Sequence, residues 1–398
     1  MYILNHRKSI TEIFYFRCEC FRRRKLMWMI FGIIAVILSA SIISVIFTVG
    51  MKKQTNEATT SIVTTELSEI VAITTETWSQ SPPPPAITKT TTTTTKTEVH
   101  IHTTWKEYGI TVAGGNNVGN QLNQLNLPQG IDIDDDDGSI YIADRENHRI
   151  VRWRLTANNS DVVAGGNGPG RGDNQLQGPT AVIIDKKNDS LIICDYFNFR
   201  VMRWFLYDST KQQNIWNVGC IHLAMDNNGD LYVSDTSNHD VKRWRTGTSP
   251  QTIVAGGNGQ GSDLNQLNHP SYLFVDENYS VYVSDMNNNR VMKWEKSASE
   301  GVVVAGGNGG GHDLSQVYHP KGLIVDRLNN VYVAGSSNYQ IFRWSQGSQK
   351  GTSIVDQFRH GEKFDSLHYP DGILFDRQGN LYVVDSGKNR VLKFDFKD

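Results

Sequence analysis

Two histidines stand immediately before a proline at equivalent points of consecutive sequence repeats, His269-Pro270 and His319-Pro320. Neutral imidazole is the commonest protein metal ligand, and a catalytic zinc generally takes three protein ligands and a water molecule. His368 is one residue out of this register, and His222 lies two residues past the corresponding point of its own repeat. With only two histidines in register, we predict no cofactor, and His269 and His319 remain the only candidate metal ligands.

Other reactive groups point to no catalytic residue. The sequence contains no Gly-x-Ser-x-Gly element and no evident Cys–His nucleophile pair. The acidic run Asp134–Asp137 precedes Gly138, but the matching loops of other repeats lack carboxylates, so a solvated hairpin turn is the better interpretation. Arg171-Gly172-Asp173 aligns with Gly261-Ser262-Asp263 and Gly311-His312-Asp313, which makes it a variant of a repeated loop rather than an adhesion motif.

The elements that carry these residues repeat about every 50 residues, a period typical of propeller blades. Each repeat begins with a short apolar run that ends in Asp, and two further strand-like runs follow. The first runs are Pro128–Asp134, Pro179–Asp185, Cys220–Asp226, Pro270–Asp276, Pro320–Asp326 and Pro370–Asp376. A fourth run recurs at Val112, Val163, Val254, Val304 and Ile354-Val355. We therefore predict an all-β, six-bladed β-propeller over residues 105–398.

Ring closure follows from the two ends of this region. Thr111–Gly115 resembles a fourth strand but precedes the first repeat, and the last repeat ends after three strands. We expect Thr111–Gly115 to complete blade six, because such closure removes free sheet edges.

The repeated residues resemble the NHL repeat family. The resemblance rests on Pro-x-Gly/Ala in the first run, Tyr-Val-x-Asp in the second, and Asn-x-Arg before the third. It implies a six-bladed propeller. Relatives that share this architecture include the peptidylglycine amidating lyase, which holds zinc with histidines, and the tripartite-motif proteins, which bind RNA or substrates.

The repeated Asp, Asn and Arg are predicted to be structural. Asp and Arg flank one turn, so a carboxylate–guanidinium pair can lock it, and Asn tolerates the left-handed conformation that turns use. The predicted turn locks are Asp144, Asn147, Arg149, Asp195, Asn198, Arg200, Asp285, Asn288, Arg290, Asp385 and Arg390. Asp240, Gly335, Gln340 and Lys388 depart from the pattern, so blades three, five and six should have weaker locks.

The N-terminal part predicts a membrane anchor. Seven Lys/Arg up to residue 25 precede an uncharged run over 26–51 that is long enough to span a bilayer. The positive-inside rule gives a single-pass type II arrangement. Residues 1–25 are then a basic cytoplasmic tail, 26–51 a transmembrane signal anchor, and 52–104 a disordered stalk rich in Ser, Thr and Pro.

An exported propeller permits two modifications. Cys194 and Cys220 are close to the shortened step between repeats two and three, where a disulfide could staple the connection; two unpaired thiols are the alternative. Asn158, Asn188 and Asn278 begin acceptor sequences for N-glycosylation.

These features favour a membrane-anchored binding module over an enzyme. From Trp105 onward there are 28 Lys/Arg and 34 Asp/Glu, a net charge of −6, which disfavours nucleic acid as a partner. The expected partner is an extracellular protein or glycan. The alternatives are an ectoenzyme with an axial metal site, as in the amidating lyase, and an RNA- or substrate-binding propeller, as in tripartite-motif proteins.

Overall fold

The computed structural model describes residues 104–156, 159–208, 211–245, 251–356 and 366–397. The predicted cytoplasmic tail, the transmembrane segment 26–51 and the stalk up to residue 103 lie outside these ranges. Within them, no helix is long and apolar enough to cross a membrane.

The described residues form six four-stranded antiparallel sheets, as the repeats predict. Blade one holds β3 (Pro128–Asp134), β4 (Ser139–Asp144), β5 (Arg149–Arg154) and β6 (Asn159–Gly165). Blade two holds β7 (Pro179–Asp185), β8 (Ser190–Asp195), β9 (Arg200–Phe205) and β10 (Gln213–Trp216). Blade three holds β11 (Cys220–Met225), β12 (Leu231–Asp235), β13 (Asp240–Trp244) and β14 (Thr252–Gly256). Blade four holds β15 (Pro270–Val275), β16 (Val281–Asp285), β17 (Arg290–Trp294) and β18 (Val302–Gly306). Blade five holds β19 (Pro320–Val325), β20 (Val331–Gly335), β21 (Gln340–Trp344) and β22 (Thr352–Asp356). Blade six holds β23 (Pro370–Phe375), β24 (Leu381–Asp385), β25 (Arg390–Phe394) and β2 (Ile110–Gly114).

The first strand of each blade contacts the first strands of both neighbouring blades, so these six strands form the innermost ring. Apolar side chains pack between blades, as the strand pattern requires. Trp153 of blade one, for example, shares a buried cluster with Tyr382 and Val384 of blade six. The part of the chain that the structure describes is thus a closed six-bladed β-propeller.

Blade six is completed by the strand that precedes the first repeat. β2 pairs with β25 from Ile110–Lys393 to Gly114–Arg390, one residue before the predicted bounds. A further short pair joins β1 (Thr104–Trp105) to β26 (Phe396–Lys397). Two-residue strands carry no periodic pattern, so the sequence did not predict this second pair.

Two faces of the ring differ in their loops. The connectors between blades and the turns between second and third strands lie on one face, here called the connector face. Four of those turns contain single-turn 3-10 helices, Arg145–Asn147, Tyr196–Asn198, Met286–Asn288 and Ser386–Lys388. The turns between first and second strands lie on the opposite face, here called the hairpin face, and one of them contains the 3-10 helix Lys186–Asn188.

Blade three is reached by the shortest connector. Residues 166–178 connect blades one and two, whereas only residues 217–219 connect blades two and three. Blade two has a fourth strand, β10, whose Gln-Asn-Ile-Trp sequence does not match the repeated Val-Ala-Gly-Gly. A disulfide joins Cys194 of β8 to Cys220 at the start of β11, with the Cα atoms 5.3 Å apart, as predicted.

Candidate functional site on the connector face

The repeated Asp, Asn and Arg side chains meet in one hydrogen-bonded group in each regular blade. In blade one, Arg149 Nε and Asn147 Nδ2 both donate to Asp144 Oδ2, at 2.7 and 2.8 Å. The same bonds recur as Arg200–Asp195 and Arg290–Asp285 at 2.7 Å, Arg390–Asp385 at 2.8 Å, Asn198–Asp195 at 2.8 Å and Asn288–Asp285 at 2.7 Å. Each turn therefore closes around one buried carboxylate.

The guanidinium also holds the connector that enters its blade. Arg149 donates to the backbone carbonyls of Asn120, Gln121 and Gln124, at 2.7 to 3.0 Å. Asp144 Oδ1 accepts from the backbone N–H of Asn126, at 2.7 Å. Blades two and four repeat this arrangement through Arg200 and Arg290. Because these groups are buried and bonded to the protein itself, they are scaffold rather than ligand-binding residues.

Burial dominates the electrostatics of these carboxyl groups. Removal from water raises the pKa of Asp144, Asp285 and Asp385, while the Asn, Arg and backbone donors around each act in the opposite direction.

Blades that depart from the pattern use different partners. In blade three, Lys242 Nζ lies 2.5 Å from Asp235 and 3.1 Å from Asp240, which takes the place of the arginine. In blade five, where Gly335 has no carboxylate, Asn338 Oδ1 accepts from the backbone N–H of Tyr318 at 2.6 Å. In blade six, Lys388 Nζ donates to the carbonyl and hydroxyl oxygens of Ser366. The departures are thus compensated locally, and blade three compensates with an ion pair of its own.

The propeller axis is crossed by polar side chains from the innermost strands. Lys321 Nζ lies 2.6 Å from Asp371 Oδ2, and Gln129 Nε2 donates to the same oxygen at 3.3 Å. These three residues occupy the second position of the first strand in blades five, six and one, so one carboxylate ties three successive blades together.

Two aromatic rings complete this axial group. The third position of a first strand is Gly or Ala except at His222 and Tyr272, whose rings stack with centroids 4.0 Å apart. A Cβ on Gly372 would lie 3.2 Å from Tyr272 Oη, so Tyr272 of blade four reaches blade six. Burial lowers the pKa of His222 to about 3 and raises that of Tyr272 well above its usual value. The axis is therefore occupied by neutral rings and a paired carboxylate.

Five aromatic or imidazole side chains form two contacting groups on the connector face, which together are here called the aromatic arc. Its members come from the connectors and turns of blades five and six: Tyr318, His319, Tyr339, His368 and Tyr369. Tyr339 stacks on His368 at 5.1 Å and meets Tyr369 edge-on at 5.0 Å, while Tyr318 lies 4.4 Å from His319. Tyr318 and Tyr369 are 38% and 46% exposed, so part of each side chain is accessible to a ligand.

The two candidate metal ligands have separate surroundings. His269 meets His239 edge-on at 5.4 Å, whereas His319 Nδ1 lies 3.0 Å from Ser337 Oγ. Burial lowers the pKa of both rings, with a further contribution from His239 for His269 and from Lys321 for His319. Among the described residues, no three His, Cys, Asp or Glu side chains are grouped so that they could hold a metal ion.

The predicted glycosylation sites fall in turns. Asn188 and Asn278 are exposed on the hairpin face, although Asn188 Nδ2 donates to Asp185 Oδ2 at 2.7 Å. Asn158 lies outside the described residues.

Comparison with known proteins supports the repeat and the fold. The NHL repeat model matches residues 125–153, and a β-propeller repeat model matches residues 313–343. No curated protein matches the chain. The chain therefore carries an NHL repeat within a six-bladed β-propeller.

Solved propellers resemble it at low identity. A Bacteroides thetaiotaomicron protein of unknown function is 16% identical, with a TM-score of 0.58 over 73% of this chain and 76% of the other. An auxiliary nutrient binding protein from the same organism has 13% identity and a TM-score of 0.56 over the same shares. The gluconolactonase XC5397 of Xanthomonas campestris has 13% identity and a TM-score of 0.53, over 73% of this chain and 98% of that one. At these identities the likeness concerns the fold alone.

Sequence reasoning missed the axial group and the aromatic arc. For the axial pair the signal was present, because His222 and Tyr272 replace the Gly/Ala of the repeat. The arc gave a weaker signal, since its residues lie in loops where the repeat varies and only folding brings them together.

Proposed function

We propose that this protein is a membrane-anchored, extracellular propeller that acts as a protein- or glycan-binding module, and that its ligand binds the aromatic arc. The supporting observation is the exposure of Tyr318 beside His319 and of Tyr369 beside Tyr339 and His368. Elsewhere on this face the repeated Asp, Asn and Arg side chains are hydrogen-bonded within the turn locks. The side chains of the arc do not take part in these locks.

The chemistry of the arc suits such ligands. Tyrosine rings provide rigid apolar faces together with a hydroxyl group, a combination enriched at binding surfaces. The imidazole rings of this patch add hydrogen-bonding nitrogens. A sugar ring or an aromatic side chain of a partner protein can stack on these faces.

Membrane anchoring rests on the uncharged run at 26–51 and the basic residues that precede it. The Cys194–Cys220 disulfide agrees with an oxidising compartment. Protease added to intact cells that express the full chain should remove the propeller, and a glycosidase should reduce its mass. A propeller protected from both reagents would contradict the extracellular arrangement.

Binding is tested with the full-length chain displayed on cells against panels of surface proteins and glycans. We expect Tyr369→Ala to weaken a selected ligand about tenfold or more, because a central aromatic contact is lost. The matched control is Tyr207→Ala, which removes a tyrosine that is 84% exposed and lies after the third strand of blade two. Equal loss in both variants, or loss in neither, would contradict binding at the arc.

A second candidate, an ectoenzyme with an axial metal site, is favoured by one observation. The Nδ1 atom of His222 is buried and has no hydrogen-bond partner among the described residues. Metal analysis of the purified protein would support this candidate if one zinc per chain were found and lost in His222→Ala. Absence of stoichiometric metal would remove it. The third alternative, RNA binding, has only the NHL resemblance in its favour, against an acidic propeller.

A further inference from the structure

Trp105 fills a groove between blades five and six on the hairpin face. Its indole stacks on Phe375 with centroids 5.5 Å apart and meets Tyr332 edge-on at 5.8 Å. Its Nε1–H donates to the carbonyl oxygen of Gly379 at 2.8 Å. The indole arrives on the short strand β1, which pairs with β26. An extended segment thus inserts a tryptophan between two blades.

The equivalent groove between blades two and three lies open. Met225 ends the first strand of blade three as Phe375 ends that of blade six, and Gly229 occupies the turn position of Gly379. These residues line a cavity of about 890 Å³, together with Phe205 and Ile215 of blade two. Among the described residues, no side chain occupies this groove as Trp105 occupies the other.

Smaller or less covered residues form the walls of the open groove. Met225, which lines the cavity, takes the place of Phe375, whereas Ile192, which corresponds to Tyr332, is fully buried and does not line it. Trp244 is half-buried at the cavity wall, whereas the corresponding Phe394 is buried. The open groove therefore keeps the turn carbonyl and an aromatic wall but lacks the ring that would cover them.

We propose that the groove between blades two and three binds an extended segment of a partner protein that carries a tryptophan. The indole would lie against the thioether of Met225 and the ring of Phe205, since sulfur–aromatic and aromatic pairs are favourable. Its N–H would donate to the carbonyl of Gly229.

Charge differs between the rims of the two grooves. Beside the filled groove, Lys106 Nζ lies 2.9 Å from Asp395, the first residue after β25. The first residue after β13 is Arg245, whose Nε lies 3.2 Å from Asp230, so this cation already has a carboxylate partner. The tryptophan, and not the residue that follows it, therefore defines the partner. This site is on the hairpin face, so its failure would leave the proposed ligand site on the aromatic arc untouched.

The test uses a fluorescent synthetic peptide with the sequence of residues 101–108 and the purified full-length chain. We expect saturable binding in fluorescence anisotropy. The peptide carrying Trp105→Ala should bind about thirtyfold more weakly, as expected for a buried aromatic anchor.

Variants of the protein locate the site. Met225→Trp fills the groove with an indole of the chain itself, and Phe205→Glu charges its wall; both should abolish binding of the peptide. If one variant fails to fold, as judged by circular dichroism, the other retains the test. Tyr207→Ala, outside the cavity lining, is the matched control and should bind normally.

Four results would overturn the proposal. One is no saturable binding of the peptide. Another is normal binding to Met225→Trp and Phe205→Glu. A third is loss of binding in Phe375→Ala alone, which would mean exchange with Trp105 in the filled groove. The last is self-association of the chain that Met225→Trp removes, which would assign the groove to a second copy.

Discussion

Blades three and four receive the chain in different ways. The connector 257–269 enters blade four as a long loop, and Arg290 holds it by donating to the carbonyls of Ser262, Asp263 and Gln266. Blade three is reached directly through residues 217–219, and the Cys194–Cys220 disulfide fastens that junction. A buried guanidinium is thus present in blade four, where a loop supplies carbonyls, and absent in blade three, where residues 217–219 form no such loop.

This difference between the connectors explains why blade three has Asp240 where the repeat has arginine. A buried guanidinium must be neutralised and hydrogen-bonded, or its desolvation destabilises the fold. Blade three lacks the loop, so Asp240 replaces the arginine and Lys242 balances Asp235 and Asp240. The lock therefore serves the junction between blades as much as its own turn.

Removal of Arg290 should have the largest effect. Arg290→Met leaves Asp285 buried without its cation and frees the connector, so we expect the free energy of unfolding to fall by about 3–5 kcal/mol. Chemical denaturation measures the loss, and limited proteolysis should cut first within 257–269. Arg290→Lys is the control and should lose less; a loss below about 1 kcal/mol in Arg290→Met would refute the role of the lock.

Removal of the disulfide should come next. Cys194→Ala with Cys220→Ala opens a crosslink between residues 26 apart in sequence, and we expect a loss of about 2–4 kcal/mol. Thermal unfolding without reductant measures it. Wild-type protein under reducing conditions should show a similar loss, and unchanged stability in both cases would mean that residues 217–219 need no staple.

Restoring the arginine in blade three should destabilise the protein less. Asp240→Arg with Lys242→Met recreates the regular pattern without a loop to receive the guanidinium. We expect a loss of about 1–3 kcal/mol from unsatisfied donors, measured by chemical denaturation. A stabilised double variant would contradict the link between the arginine and the connector.

The smallest expected effect concerns pH and again distinguishes blade three. The pKa of His222 is lowered to about 3 in the folded protein by burial, so only the unfolded chain binds this proton as pH falls below about 6.5. The contribution of neutral His222 to the free energy of unfolding is present above that pH and is lost as the pH falls toward 3. At pH 5.5 the free energy of unfolding has fallen by about 1 kcal/mol for this reason. His222→Phe keeps the ring stack on Tyr272, and its stability should fall less steeply between pH 7 and 5.5; an identical profile would contradict this account.

The sequence predicted the repeated parts well because each repeat confirms the others. Six aligned runs predicted the blades. The positions of Cys194 and Cys220 near the shortened step between repeats two and three suggested the disulfide. The strand Gln213–Trp216 was missed because its residues do not match the other fourth strands. The aromatic arc could not be predicted, since contacts such as Tyr339–His368 join separate loops whose relative positions depend on the whole ring.

The closure of blade six also determines how the propeller would carry mechanical load. β1 and β2 lie at the N-terminal end of the described chain, and they pair with β26 and β25 at its C-terminal end. A force applied through the chain before Thr104 would reach this clasp before any other blade. The force needed to open the ring would then be set by the β2–β25 pairs, from Ile110–Lys393 to Gly114–Arg390, and by the packing of Trp105 between blades five and six.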